Sequence, residues 1–188
     1  MMIRKARCRD ELADAFPSAT RLNALTPLSL LSENRFSNTW SDFSLRLGNE
    51  LISIPYRIYY DRPTVQNSQL TPLQSEMLDC LFTRHHDGFV RQKCLARIIS
   101  SQSAWIPCFV VPLVGEYVVE IVRVIQDNLP QLNRALYARF VRENPRFLAL
   151  TEQRAMSYWN CYYRWSIKRG EYPGIVILDY LKSISKGA

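Results

Sequence analysis

Two stretches with the spacing of an amphipathic helix flank the segment Asp87-Gly88-Phe89-Val90-Arg91, and this arrangement restricts residues 71–100 to a helical hairpin. Thr71-Pro72 reads as a helix start, because the hydroxyl accepts from an orphan backbone N–H and proline lacks the donor that would go unused. Leu73, Met77, Leu81 and Arg84 then recur every three or four residues, with Leu78 and Cys80 beside them. Gly88 is expected to supply the left-handed residue that ends this helix. Val90, Cys94 and Ile98 form the second stripe, widened by Leu95 and Ile99. Arg91 falls inside that apolar sector, about 60° from Cys94 at roughly 100° per residue, so its guanidinium requires a partner.

A turn with Asp, then Val-Arg opening a second helix with a small residue three further on (Asp87, Val90, Arg91, Cys94, Leu95), resembles one unit of the HEAT-type helical repeat. The resemblance spans residues 71–100, about a sixth of the chain. It implies stacked helical hairpins tied together through Asp87 and Arg91, serving as a scaffold for protein partners. Repeat folds draw their stability from stacked neighbours, so one such unit needs other helices against it.

The remaining sequence suits a single domain over residues 1–188, with 47% apolar and 22% charged residues. Only 6 glycines argue against glycine-rich phosphate loops. The basic N-terminus has no apolar run behind it, so it is not a secretory signal. The most hydrophobic window, residues 105–125, contains Glu116, Glu120 and Arg123, which argues against a membrane span. Five cysteines in no framework spacing fit a reducing cytoplasm.

Residues 1–39 read as irregular, with short helices expected near residues 9–16 and 27–31. Over residues 40–60 the period changes to two: Phe43, Leu45 and Leu47 alternate with polar residues, Gly48-Asn49 offers a turn, and Ile52, Ile54, Tyr56, Ile58 and Tyr60 continue the pattern. This predicts a β-hairpin lying against the helices, with Pro55 confining its strand to an edge or a bulge. Residues 61–70 form the connector to a helical core over residues 71–185.

Residues 105–128 are rich in β-branched side chains, yet Glu116, Glu120, Arg123 and Asp127 are spaced by four, three and four, which matches a helix. One buried helix with a narrow charged stripe is therefore expected. Glu116 and Glu120 would repel on it, so a cation should face them, with Arg84, His85 and Arg91 as the candidates. Arg84, His85, Asp87, Arg91, Glu116, Glu120 and Arg123 accordingly form either a structural ion-pair network, the main expectation, or an acid–base or metal centre. Metal spacing is poor, since the residue three after Glu120 is Arg123 rather than His, and Cys80, His85 and Cys94 lack a fourth ligand. No metal, cofactor or catalytic residue is assigned.

Charge is asymmetric. Residues 1–70 carry 9 basic against 7 acidic side chains, residues 71–129 carry 5 against 6, and residues 130–188 carry 10 against 4, so the excess of the +7 total is C-terminal. Leu129-Pro130 is expected to open a helix to about Glu143, stopped by Asn144-Pro145. Thr151 should cap another that ends at Gly170 and carries Tyr158, Trp159, Tyr162, Tyr163 and Trp165. The five rings span about 160° of a helical wheel, opposite Arg154, Arg164 and Lys168. The aromatic face is thus expected in the core. Arg134, Arg139, Arg142, Arg154, Arg164 and Lys168 make a candidate basic binding face. A short helix over residues 173–185 closes the chain.

These readings describe a mainly α fold, helical hairpins packed as a small bundle or short repeat-like array, with an N-terminal β-hairpin. No nucleophile elbow, phosphate loop, zinc-protease or dinucleotide motif is present, which disfavours an enzyme without closing that question. The expected function is non-catalytic binding of another protein in the cytoplasm. The alternatives are nucleic-acid binding through the basic face, and an enzyme or metal protein using Glu116, Glu120 and His85. Oligomeric state has no signature.

Overall fold

A computed structural model describes residues 9–32, 41–63 and 69–187. In chain order these form a 3₁₀ turn (Arg9–Ala15), α1 (Arg21–Ser29), β1 (Asp42–Leu47), β2 (Glu50–Pro55), α2 (Pro72–Phe82), α3 (Gly88–Ile98), α4 (Ile106–Val114), α5 (Val119–Asp127), α6 (Arg134–Glu143), α7 (Pro145–Tyr158) and α8 (Pro173–Lys186). The fold is mainly helical with an N-terminal antiparallel hairpin, as expected. Expectations that involve Trp40 or the middle of the connector lie outside the described residues.

The arrangement follows from α4. All nine of its residues are buried, and a helix that is apolar all round must be enclosed. Helices α2, α5, α6, α7 and α8 each pack against it. Gly174 lets α8 start close by: a Cβ there would lie 3.2 Å from Ala155 Cβ and 3.3 Å from the Val114 carbonyl oxygen.

The hairpin turns on Gly48, whose φ of 63° lies in the left-handed region that favours glycine. Phe43, Leu45, Ile52 and Ile54 face the core. Its β1 edge is not left open. Asn144 Oδ1 accepts from the Arg46 N–H at 2.8 Å and its Nδ2 donates to the Arg46 carbonyl at 2.9 Å, while the Gly48 N–H donates to Glu143 at 3.0 Å. Ser18 donates from its N–H and hydroxyl to the Glu50 carboxylate at 2.8 and 2.9 Å. Beyond β2, the Ile58 N–H donates to Arg84 O at 2.8 Å and Ile58 O accepts from the His86 N–H at 3.0 Å, which ties this segment to the α2–α3 turn.

Helix α2 starts as predicted, with Thr71 and Gln74 capping each other reciprocally. Several boundaries differ from expectation. Gly88 is not left-handed; Asp87 caps α3 by accepting from the Phe89 N–H at 2.8 Å, and Gly88 is that helix's first residue. Residues 105–128 are two helices rather than one, because Val118 is extended and the chain breaks at residues 115–118. Glycine weakens the helix there, and the Glu116 side chain is held by cations on other elements. Leu129–Gln131 is only a 3₁₀ turn, and α6 is capped by Asn133, which accepts from the Leu136 N–H. Helix α7 begins at Pro145, six residues before Thr151, which is buried mid-helix and donates its hydroxyl to the Phe147 carbonyl at 2.9 Å. It does not run on to Gly170, since a π-turn at Trp159–Tyr163 ends it.

Candidate functional site

The segment after β2, the α2–α3 turn, the α4–α5 break and α7 meet around one carboxylate. Glu116 is 5% exposed, and both its oxygens accept from Arg57 Nη2 at 2.8 Å. Arg91 Nη2 lies 3.7 Å from the same carboxylate, while its Nη1 donates to the His85 and His86 carbonyls at 2.8 and 2.9 Å. Arg91 thereby joins the α2–α3 turn to the α4–α5 break.

Arg84, 3% exposed, donates from Nε to Pro55 O at 3.2 Å and from Nη2 to Tyr56 O at 3.0 Å. Its guanidinium carbon sits 5.6 Å from the centre of the Phe43 ring. Nη1 is buried with no partner among the described residues. Burial, then the like charge of Arg57, lowers the Arg84 pKa from 12.5 to about 9 against the opposing pull of Glu116. Burial also lowers that of Arg91. Arg154, from α7, lies over the Tyr56 ring at 5.5 Å, with Nη2 3.5 Å from the Tyr56 hydroxyl. Arg57, Arg84 and Arg154 line a cleft of about 360 Å³ whose walls include Phe43, Tyr117, Phe147 and Tyr158.

The structure thus gathers Arg84, Arg91 and Glu116 from the predicted network and leaves out the rest. Glu120 and Arg123 are exposed on α5, because the break at 115–118 rotates them away from Glu116. Asp87 caps α3. His85 has its own backbone partners: Nε2 meets the Tyr60 carbonyl at 3.0 Å and Nδ1 accepts from the Asp87 N–H at 3.1 Å, which sets the tautomer with the proton on Nε2. Among the described residues, no group of three or more His, Cys, Asp and Glu is placed to hold a metal ion. Arg57 went unrecognised in the sequence, since a polar residue between Tyr56 and Ile58 reads as the outward position of a strand.

The candidate basic face is also divided. Arg134 and Arg142 are exposed, Arg139 pairs with Glu143 at 2.8 Å, and Lys168 lies 3.7 Å from Glu171. Arg154 does not belong to it, being turned into the cleft. The aromatic face, expected in the core, is split by the π-turn. Trp159 and Tyr163 are half-buried, with Trp159 Nε1 donating to Ile167 O at 2.9 Å and the Tyr163 hydroxyl donating to Tyr117 O at 3.1 Å. Tyr162 is 66% and Trp165 87% exposed, and the Arg164 guanidinium stacks 4.5 Å over the Trp165 ring. Tyr117, Tyr158 and Tyr162 continue as a ladder, with centres 6.1 and 6.3 Å apart, from the cleft towards this ridge. Among the described residues no helix is long and apolar enough to cross a membrane. Comparison of the chain with protein-family models, curated proteins and solved structures finds no match.

Proposed function

We propose that this protein is a non-catalytic binding module that docks an acidic protein partner on the ridge formed by Tyr162, Arg164 and Trp165. The observation that carries this reading is Trp165, a large side chain left almost wholly in solvent by a chain that encloses α4 completely. Trp, Tyr and Arg dominate the energetics of protein interfaces, the two aromatics because they bury much area with few rotatable bonds and Arg because its planar guanidinium both stacks and donates several hydrogen bonds. The π-turn that displays them is a further support, since such turns frequently occur at functional sites. Exposed Lys168 and Arg169 and the basic C-terminal third suit an acidic partner. The scaffold role implied by the HEAT-type resemblance at residues 71–100 agrees with this reading. Cytoplasmic residence belongs to the same proposal: Cys80, Cys94, Cys108 and Cys161 are free thiols, which suits a reducing compartment.

Nucleic-acid binding is the second reading, favoured by the Arg164–Trp165 stack beside Tyr162, a pattern that serves base stacking. A Tyr162→Ala/Trp165→Ala variant and the native protein, each used as bait in extract of the source cell, distinguish the cases. A partner retained by the native protein and lost by the variant, with unchanged melting temperature and no gel retardation of DNA or RNA, is the expected result. Retardation that weakens steeply with added salt would assign the ridge to nucleic acid instead.

A further inference from the structure

We propose that the arginine cleft is a binding site for an oxyanion, a phosphoryl or carboxylate group carried on a flat aromatic body. The inference is independent of the ridge. Its first ground is charge. Arg57, Arg91 and Arg154 all act on Arg84, against the single carboxylate of Glu116. That carboxylate is already engaged with Arg57 through both oxygens. The lining of the cleft thus carries Arg57, Arg84 and Arg154 against one carboxylate, which leaves two cationic charges uncompensated in a partly enclosed space, and burying unpaired charge is costly.

The second ground is an unused donor. Arg84 lines the cleft, is 3% exposed and has two of its nitrogens fixed by backbone carbonyls, yet Nη1 meets no acceptor among the described residues. A planar guanidinium clamped at Nε and Nη2 cannot turn to find one. Arg154 is similarly available, its one polar contact among the described residues being the 3.5 Å approach to Tyr56, at the limit of a hydrogen bond. An oxyanion between the two would receive charge-assisted bonds from guanidinium groups already oriented by the fold. It would also offset the charge whose burial depresses the Arg84 pKa.

The third ground is shape. The cleft measures about 360 Å³, at the lower end of small-molecule pockets, which fits a single ring with an anionic substituent rather than a large cofactor. Phe43, Tyr56, Phe147, Tyr117 and Tyr158 line the cleft and give the ligand's body aromatic surface to pack against.

Calorimetric titration with phenyl phosphate, benzoate and inorganic phosphate, each against sodium chloride of equal ionic strength, tests the site. The expected result is saturable 1:1 binding of phenyl phosphate or benzoate, tighter than inorganic phosphate; whichever aryl anion binds better identifies the oxyanion. Arg154→Met, a change at the partly exposed wall that leaves the Glu116 pairs intact, should weaken binding about tenfold, the weight of one charge-assisted hydrogen bond. Arg84→Met should do the same if it folds. Glu116→Gln should lower the melting temperature, with added inorganic phosphate recovering more of the loss than it gains for the native protein. Trp165→Ala should leave anion binding unchanged, which separates this site from the ridge. Absence of saturable binding by both aryl anions, or equal affinity in Arg154→Met, would overturn the proposal.

Discussion

His85 shows how one side chain acquires a fixed protonation state from its surroundings. Burial lowers its pKa below 6.5, with the neighbouring His86 acting in the same direction and the Tyr60 carbonyl and Asp87 acting against it. The unfolded chain therefore takes up this proton at higher pH than the native chain does. The stability it contributes is fully present above pH 6.5 and is lost as pH falls below that value towards the native pKa. Urea melts at about pH 7.5 and about pH 5.5, near either side of the free histidine value, should show a lower midpoint in acid. The decline should shrink in His85→Gln. At this scale, Arg91 and Arg84 were recognisable because charged residues on apolar stripes need partners. Arg57 was not, because alternation in a strand says which way a residue points and nothing of what folds over it. Arg154 falls in the candidate basic face because a helical wheel gives only its angle on α7, whereas the Tyr56 ring that it covers comes from a segment 98 residues earlier.

Helices α7 and α8 meet α4 through a contact that admits no side chain. Gly174→Ala should destabilise the fold by about 1–3 kcal/mol, the usual cost of overpacking, because the new methyl group meets the buried Tyr172 ring, Ala155 Cβ and the Val114 carbonyl oxygen. The midpoint of urea unfolding, at unchanged slope, measures it. Element type was legible for the long periodic segments: the spacing from Glu116 to Asp127 argues for helix, and helix forms over Val119–Asp127. Continuity was not. Periodicity is nearly indifferent to a four-residue interruption, so the same spacing ran straight through the break at residues 115–118. The aromatic run failed for a related reason. A helical wheel assumes one unbroken helix, and the π-turn at Trp159–Tyr163 re-aims every ring that follows it.

For the whole molecule, the burial of α4 sets an order of local stability. Native-state hydrogen exchange should find its amides among the slowest, opening only with global unfolding, while the amides around Arg169–Glu171 exchange fast. A mainly helical class and the hairpin followed from the two periodicities in the chain, and the position of the core followed from the all-apolar segment. The cleft had no such signature, because its arginines come from separate elements. The clasp on β1 has a consequence for synthesis. Asn144 stands 98 residues after Arg46, the residue whose backbone it holds. A ribosome making this chain must therefore release an uncovered strand long before its cover exists, and during that interval a nascent hairpin is open to pairing with foreign strands.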